Sequence, residues 1–173
     1  LFPLLHSGYS ASDDLIQKTV AFIVSMQNGN GAWDGSVDMT AAAVQALALT
    51  SSLPNVPSAM AQAKEYLHSE QQANGGFTNG FSTSWALQAI AALNEPASNW
   101  APHAYTPQDY LASLQQSDGG VESASSSMQT RVWATAYAIP ASLNRTWDSL
   151  LQSFAKPSLG GGGNVTTPTA SSN

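Results

Sequence analysis

Three nine-residue segments decide how this chain is organised: SMQNGNGAW at 25–33, SEQQANGGF at 69–77 and SLQQSDGGV at 113–121. The second and third segments each begin 44 residues after the one before. An equal spacing that occurs twice is typical of a repeat protein, in which one supersecondary unit recurs along the chain. The sequence therefore predicts three copies of one unit.

An apolar stretch with helical spacing precedes each segment, and an alanine-rich stretch follows it. Before the first segment, Ile16, Val20 and Ile23 fall on one helical stripe. The alanine-rich stretches are TAAAVQALALT at 40–50, TSWALQAIAAL at 83–93 and RVWATAYAI at 131–139. Alanine is the best helix former, and its small side chain lets helices approach closely. Since no stretch alternates with period two, an all-α fold of repeated helical hairpins is predicted, with no significant sheet.

The boundaries of these units follow from the same patterns. Repeats are expected at about 13–52, 57–95 and 106–143, followed by an extra helix at 146–155, which together make one domain over 1–156. Thr106, followed by Pro107 and Asp109, predicts a capping box at one helix start. Residues 157–173 are rich in Gly, Thr and Ser and are predicted to be a flexible linker or tail.

Each segment carries a glutamine, then a glycine four residues later, then a large apolar residue in the first two copies. These residues are Gln27, Gly31 and Trp33; Gln71, Gly75 and Phe77; and Gln115 and Gly119. A glycine after a helix end adopts a left-handed conformation at little cost. A glutamine amide both donates and accepts, so it can brace the turn. We therefore interpret all eight residues as structural.

At these residues the chain resembles a known family. Lys18, Phe22, Ile23, Gln27, Gly31 and Trp33 have the spacing of the QW motif found in the terpenoid cyclase and protein prenyltransferase superfamily, whose members include prenyltransferase and squalene oxidase-type repeats. The resemblance covers roughly residues 15–143. It implies an α/α toroid, here a partial one of about three helix pairs plus one helix, with the first helix of each repeat outside and the alanine-rich helix inside.

The chain lacks the residues that enzymes of this superfamily would need. Squalene–hopene-type cyclases use an Asp-x-Asp-Asp acid motif, whereas the acidic cluster here is Asp13-Asp14 at a predicted helix start. Protein prenyltransferases hold zinc with Asp, Cys and His, and this chain contains no Cys. No catalytic residue and no cofactor is therefore predicted.

Composition limits the possible partners. Only 9% of the 173 residues are charged and the formal net charge is −6, against about 25% charged residues in an average soluble domain. Five cations are too few to neutralise several phosphates, which argues against nucleic acid. No apolar run is long enough to span a bilayer. The polar, weakly charged composition, the tail and two glycosylation patterns at Asn144 and Asn164 favour a secreted or cell-surface protein.

Other polar and aromatic residues are candidates for chemistry or binding. The histidines His6, His68 and His103 have no metal-binding spacing, so no metal site is predicted. Carboxylates that follow the glycine turns could be paired acids or calcium ligands, but are more simply turn and cap residues; they are Asp34, Asp38, Asp118 and Glu122. Trp85 and Trp133 are expected at matching places on the second helices. Residues that could face a ligand are Trp85, Arg131, Trp133 and Asp38.

Three function hypotheses remain. The first is a non-catalytic helical repeat module of a secreted or cell-surface protein, which mediates binding or assembly with another chain or domain, including a second copy. The second is a fragment of a terpenoid cyclase or prenyltransferase-like enzyme acting on a polyprenyl substrate. The third, from the same resemblance, is the helical half of a cobalamin-type ligand carrier.

Overall fold

The computed structural model describes residues 1–122 and 125–157 and is all-helical over them, without a strand. Seven α-helices follow one another: α1 (Phe2–His6), α2 (Asp14–Ser25), α3 (Val37–Ala48), α4 (Val56–Glu70), α5 (Gly80–Ala92), α6 (Pro107–Leu114) and α7 (Met128–Ser142). Two short 3-10 helices lie at Ala97–Asn99 and Asp148–Leu150. The all-α prediction is confirmed.

Helices α2 to α7 form three consecutive hairpins, each made of a first helix (α2, α4, α6) and a second helix (α3, α5, α7). The second helices pack side by side, α3 on α5 and α5 on α7. The first helix of a later repeat packs on the second helix of the repeat before it, α4 on α3 and α6 on α5. Successive repeats are thus joined through both of their helices.

Two groups of buried side chains hold this array together. The larger joins the first two repeats and contains Ile16, Leu47, Leu67, Phe77 and Trp100. The smaller joins the second and third repeats and is built on Leu87, Leu111 and the buried alanines of α7. The small residues at the contacts between second helices let the backbones approach closely, which explains the alanine-rich stretches.

Helix starts match the sequence in part. Thr106 and Asp109 form the predicted capping box, in which each side chain accepts a hydrogen bond from the other residue's backbone N–H. Asp13 occupies the N-cap position of α2. Helix α1, with Pro3 in its first turn, was not anticipated.

The predicted extra helix over 146–155 is a correction, because that stretch forms only the 3-10 turn Asp148–Leu150. Residues 144–157, called the strap from here on, run from the end of α7 back to the start of the chain. His6 contacts Asp148 at 2.7 Å, the Phe154 N–H donates to the His6 carbonyl, and Lys156 pairs with Asp13. These contacts with the N-terminal segment hold the strap in an extended conformation, which a helix over the same residues could not reach. Of the predicted tail, residues 158–173 lie outside the described residues.

Candidate functional site

The three glycine turns have the same backbone geometry. In each, the glutamine side chain donates to the carbonyl of the glycine four residues on, and that glycine has φ between +85° and +87°. The side-chain oxygen one residue before the glycine accepts from the N–H one residue after it. The predicted bracing role of the glutamines and the left-handed glycines are both present.

The first two turns also bind the repeat that follows. The Gln27 amide donates to the Ala59 carbonyl of α4 at 2.8 Å, and the Gln71 amide donates to the Trp100 carbonyl at 2.7 Å. Gly31 lies directly against the backbone of Gln62, where a side chain would overlap its carbonyl, and Gly75 lies in the same way against Thr106. Each of these two turns therefore forms a binding surface, called a socket from here on, for the repeat that follows it.

The third turn is a socket without an occupant among the described residues. The Gln115 amide makes only the internal bond to Gly119, at 3.3 Å, and open space surrounds the position of a side chain at Gly119. Asp118 pairs with Arg131 of α7 at 2.6 Å, and the hydrogen bond from this guanidinium lowers the pKa of Asp118 below its usual range. Arg131 is consequently held within its own repeat.

A threonine fixes the register of each second helix; Thr40 and Thr83 are buried and Thr135 is half-buried. The backbone N–H that follows each turn donates to a threonine hydroxyl: Trp33 to Thr40, Phe77 to Thr83 and Val121 to Thr135. The three threonines are therefore structural equivalents. In this register Trp85 corresponds to Tyr137, and Trp133 corresponds to Phe81, so the expected match of Trp85 with Trp133 is wrong.

Trp85 belongs to an aromatic cluster that the strap completes. Its ring lies 5.8 Å from the ring of Tyr137 and 6.0 Å from that of Trp147, and Tyr137 also meets Phe81 edge-on. The backbone N–H of Trp147 donates to the side-chain oxygen of Gln45 in α3 at 3.0 Å. Trp133, one helical turn before Tyr137, is exposed. The strap thus covers Trp85 and leaves Trp133 uncovered.

One face of α7 is apolar and exposed, although the corresponding faces of α3 and α5 are buried. In the register of the threonines, Ile139 corresponds to Val44 and Leu87; both are fully buried, whereas Ile139 is 57% exposed. Val132 and Ala136 are exposed in the same way. Two cavities of about 690 and 600 Å³ lie along this face, and both include Gly119, Thr135 and Ile139. We call the surface formed by Gly119, Val132, Thr135, Ala136 and Ile139 the C-terminal edge.

The opposite end of the array has an apolar surface of its own. Phe22 of α2, Met26 just after that helix and Met39 of α3 are exposed, and they border a cavity of about 570 Å³ together with Ala42 and Ala46. We call this surface the N-terminal edge. Neither edge could be predicted from the sequence, because helical spacing identifies apolar faces but not which of them lacks a neighbour.

The remaining predicted residues are scattered. Asp38 lies in the first turn of α3, and its Oδ1 is buried with no hydrogen-bond partner among the described residues. Asn144 is exposed and accepts a hydrogen bond from Gln108, while Asn164 lies outside the described residues. Within the described ranges no group of three or more His, Asp or Glu residues is placed to hold a metal ion, and no helix is long and apolar enough to cross a membrane.

Comparisons with protein-family models, with curated proteins and with solved structures found no match to this chain.

Proposed function

We propose that this chain is a non-catalytic helical repeat module that binds another protein chain or domain through its C-terminal edge. The observation that carries the proposal is the exposure of Ile139, whose equivalents Val44 and Leu87 are fully buried on helices against which the next repeat packs. An exposed apolar patch of this kind marks an interaction surface on a soluble protein.

The chain's own repeat contacts indicate what this surface binds. Helix α4 covers the face of α3 and gives its Ala59 carbonyl to Gln27, and α6 covers the face of α5. The C-terminal edge offers the same groups: a Gln115 amide hydrogen without an acceptor among the described residues, an open Gly119 and an apolar stripe on α7. The partner is therefore an amphipathic helix with a small-residue face, similar to α4 or α6.

The partial toroid and the relationship to the terpenoid cyclase superfamily remain part of this proposal, supported by the three equivalent turns. A secreted or cell-surface location is supported by the low charge of the chain. The polyprenyl enzyme is the weaker alternative, because the rings that would contact such a substrate, Trp85 and Tyr137, are contacted by the chain's own Trp147.

A labelled peptide of residues 55–71, the α4 segment, tests the proposal by fluorescence anisotropy. The protein that is titrated with this peptide is the Phe22→Asp variant, in which the C-terminal edge is intact and the N-terminal edge is blocked. We expect saturable binding that Ile139→Asp weakens at least about tenfold, because burying an isoleucine contributes about 1.5–3 kcal/mol.

Tyr105→Asp is the matched control, since Tyr105 is as exposed as Ile139 but lies in the connection before α6. It should leave the affinity unchanged. Binding of equal strength to the Ile139→Asp chain would contradict the C-terminal edge as the binding site, and no binding at all would contradict an amphipathic helix as the partner.

A further inference from the structure

We propose that the partner at the C-terminal edge is the N-terminal edge of a second copy of this chain, so that the protein associates with itself head to tail. This inference rests on the proposed function and identifies the partner. The argument is that the chain already contains two interfaces of this kind. In each of them, the C-terminal side of one repeat packs on the N-terminal side of the next.

The first line of evidence is a column of rings on the first helices. Phe22, Tyr66 and Tyr110 lie 44 residues apart. Tyr66 is buried and donates its hydroxyl to the carbonyl of Gly35 at 2.9 Å, and the Tyr110 ring lies directly against Gly76. Both rings thus contact the turn of the preceding repeat. No repeat precedes Phe22 among the described residues, and its ring is 64% exposed with no turn of a preceding repeat against it.

The second line of evidence is the face of α3. Met39 corresponds in the threonine register to Ser82 of α5 and Ala134 of α7, which are both buried. Helices α5 and α7 each pack on the preceding second helix. Met39 is 52% exposed and borders the cavity of the N-terminal edge. Among the described residues, α3 therefore lacks a neighbour on its N-terminal side and α7 lacks one on its C-terminal side. The α7 of one copy could pack on the α3 of another as α3 packs on α5.

The third line of evidence is the third turn, which offers the matching socket. By the spacing of 44 residues, the carbonyl that Gln115 would bind is that of Leu15 in the second copy, the counterpart of Ala59. Phe22 of that copy would lie over Gly120, the counterpart of Gly76, and contact the Arg131 guanidinium that covers this glycine. The guanidinium of Arg131 stands at Gly120 where the ring of Tyr110 stands at Gly76. Because a guanidinium packs favourably on an aromatic face, Phe22 and Arg131 are compatible neighbours.

This contact joins two different surfaces, so each added copy presents the same two free edges again. Head-to-tail contacts of this kind produce closed rings or open filaments. A contact between two identical edges would instead stop at a dimer. This difference makes the proposal testable with one substitution on each edge.

Sedimentation velocity over a range of concentrations provides the test, with Phe22→Asp blocking the N-terminal edge and Ile139→Asp blocking the C-terminal edge. The unmodified chain should exceed its monomer mass of 18.0 kDa as concentration rises. Each variant alone should remain monomeric. An equimolar mixture should form a dimer and nothing larger, because one intact edge remains on each partner.

Tyr105→Asp serves as the control and should associate as the unmodified chain does, and thermal unfolding by circular dichroism checks that every variant folds. A monomeric wild type at all concentrations, or a mixture that stays monomeric, overturns the inference. Since the Phe22→Asp chain can still bind the α4 peptide, failure of self-association leaves the proposed function standing. Absence of peptide binding in that chain, with self-association intact, would remove only the helix-peptide mode.

Discussion

At the scale of the residue, the glutamine of each turn connects two repeats with one amide group. Gln71 donates to the Gly75 carbonyl of its own turn and to the Trp100 carbonyl before α6. Gln115 has the same position in the third turn, but among the described residues its amide makes only the internal bond. Comparing the two glutamines therefore separates the free energy contributed by the contact between repeats from that contributed by the bond within the turn.

We expect Gln71→Ala to lower the free energy of unfolding by about 1–2 kcal/mol, because it leaves a half-buried carbonyl without its donor. Gln115→Ala should change it by no more than about 0.5 kcal/mol, since that side chain is exposed. Urea unfolding of the two variants beside the wild type measures both values. Equal effects would mean that the contact between repeats contributes nothing.

The glycines of the turns allow a similar separation of backbone strain from close packing. Gly31 and Gly119 have nearly equal φ values of +87° and +85°, but only Gly31 lies against a neighbouring backbone, that of Gln62. Gly119→Ala should cost about 1–2 kcal/mol for the left-handed conformation alone. Gly31→Ala should cost at least about 1 kcal/mol more, because the added methyl group overlaps the Gln62 carbonyl. Similar melting temperatures for the two variants would contradict the close packing.

These residue roles could be predicted only where they are local. The positive φ of Gly31 and the bond from Gln27 to Gly31 follow from the spacing within nine residues. The second bond of Gln27, to Ala59, spans 32 positions and depends on the register between repeats. The mistaken match of Trp85 with Trp133 has a related cause: 14 positions separate Val121 from Thr135, against 6 and 7 in the other repeats. The longer third connection shifts the alignment of α7 with the other second helices along the sequence. The hydrogen bond from the turn to the threonine is nevertheless kept.

At the scale of the element, the strap is the feature that the sequence predicted least well. Its apolar residues Trp147, Leu150, Leu151 and Phe154 have helical spacing, which explains the prediction of a helix over 146–155. Helix formation in short segments depends on tertiary packing. Here the packing comes from His6, Asp13 and Gln45, distant residues that hold the strap extended.

Two aromatic residues of the strap differ in their surroundings and give a matched pair. Trp147 lies in the cluster with Trp85 and Tyr137, whereas the side chain of Phe154 is 64% exposed. Trp147→Ala should cost about 2 kcal/mol and lower the melting temperature by about 4–8 °C. Phe154→Ala should stay within about 0.5 kcal/mol of wild type. Calorimetry that found the two variants equally stable would show that the cluster does not hold the strap.

At the scale of the whole molecule, few charges mean that few groups make the stability depend on pH. His68 of α4 stacks on Trp100 with ring centroids 3.7 Å apart. Burial, assisted by the nearby Lys64, lowers the pKa of His68 below its ordinary value of 6.5, against the opposing effects of Glu65 and Glu95. Because the unfolded chain then binds this proton more readily, stability is complete above about pH 6.5 and declines as the pH falls below it.

We therefore expect the melting temperature to fall between about pH 7.5 and pH 5.5, and His68→Phe to reduce that fall while keeping the ring stack. His103→Gln is the control, because His103 is exposed. An unchanged pH profile in His68→Phe would exclude His68 as the source.

Glu95 acts in a lower window of pH. Burial works to raise the pKa of Glu95, but hydrogen bonds from Lys64 and Trp100 outweigh it and bring the pKa below its ordinary value of 4.5. Its contribution to stability is present above about that pH and is lost as the pH falls further. The two groups can therefore be distinguished by the pH range in which the melting temperature changes.

The strap also determines how the molecule would respond to a pulling force. Because residues 148–156 contact His6 and Asp13, tension applied between the first residue and Pro157 acts on those contacts before it reaches the three hairpins. The strap would peel away first, and only then would the interfaces between repeats carry the load. We therefore expect the strap to detach before any repeat unfolds, which would lengthen the molecule and expose the rings of Trp85 and Tyr137.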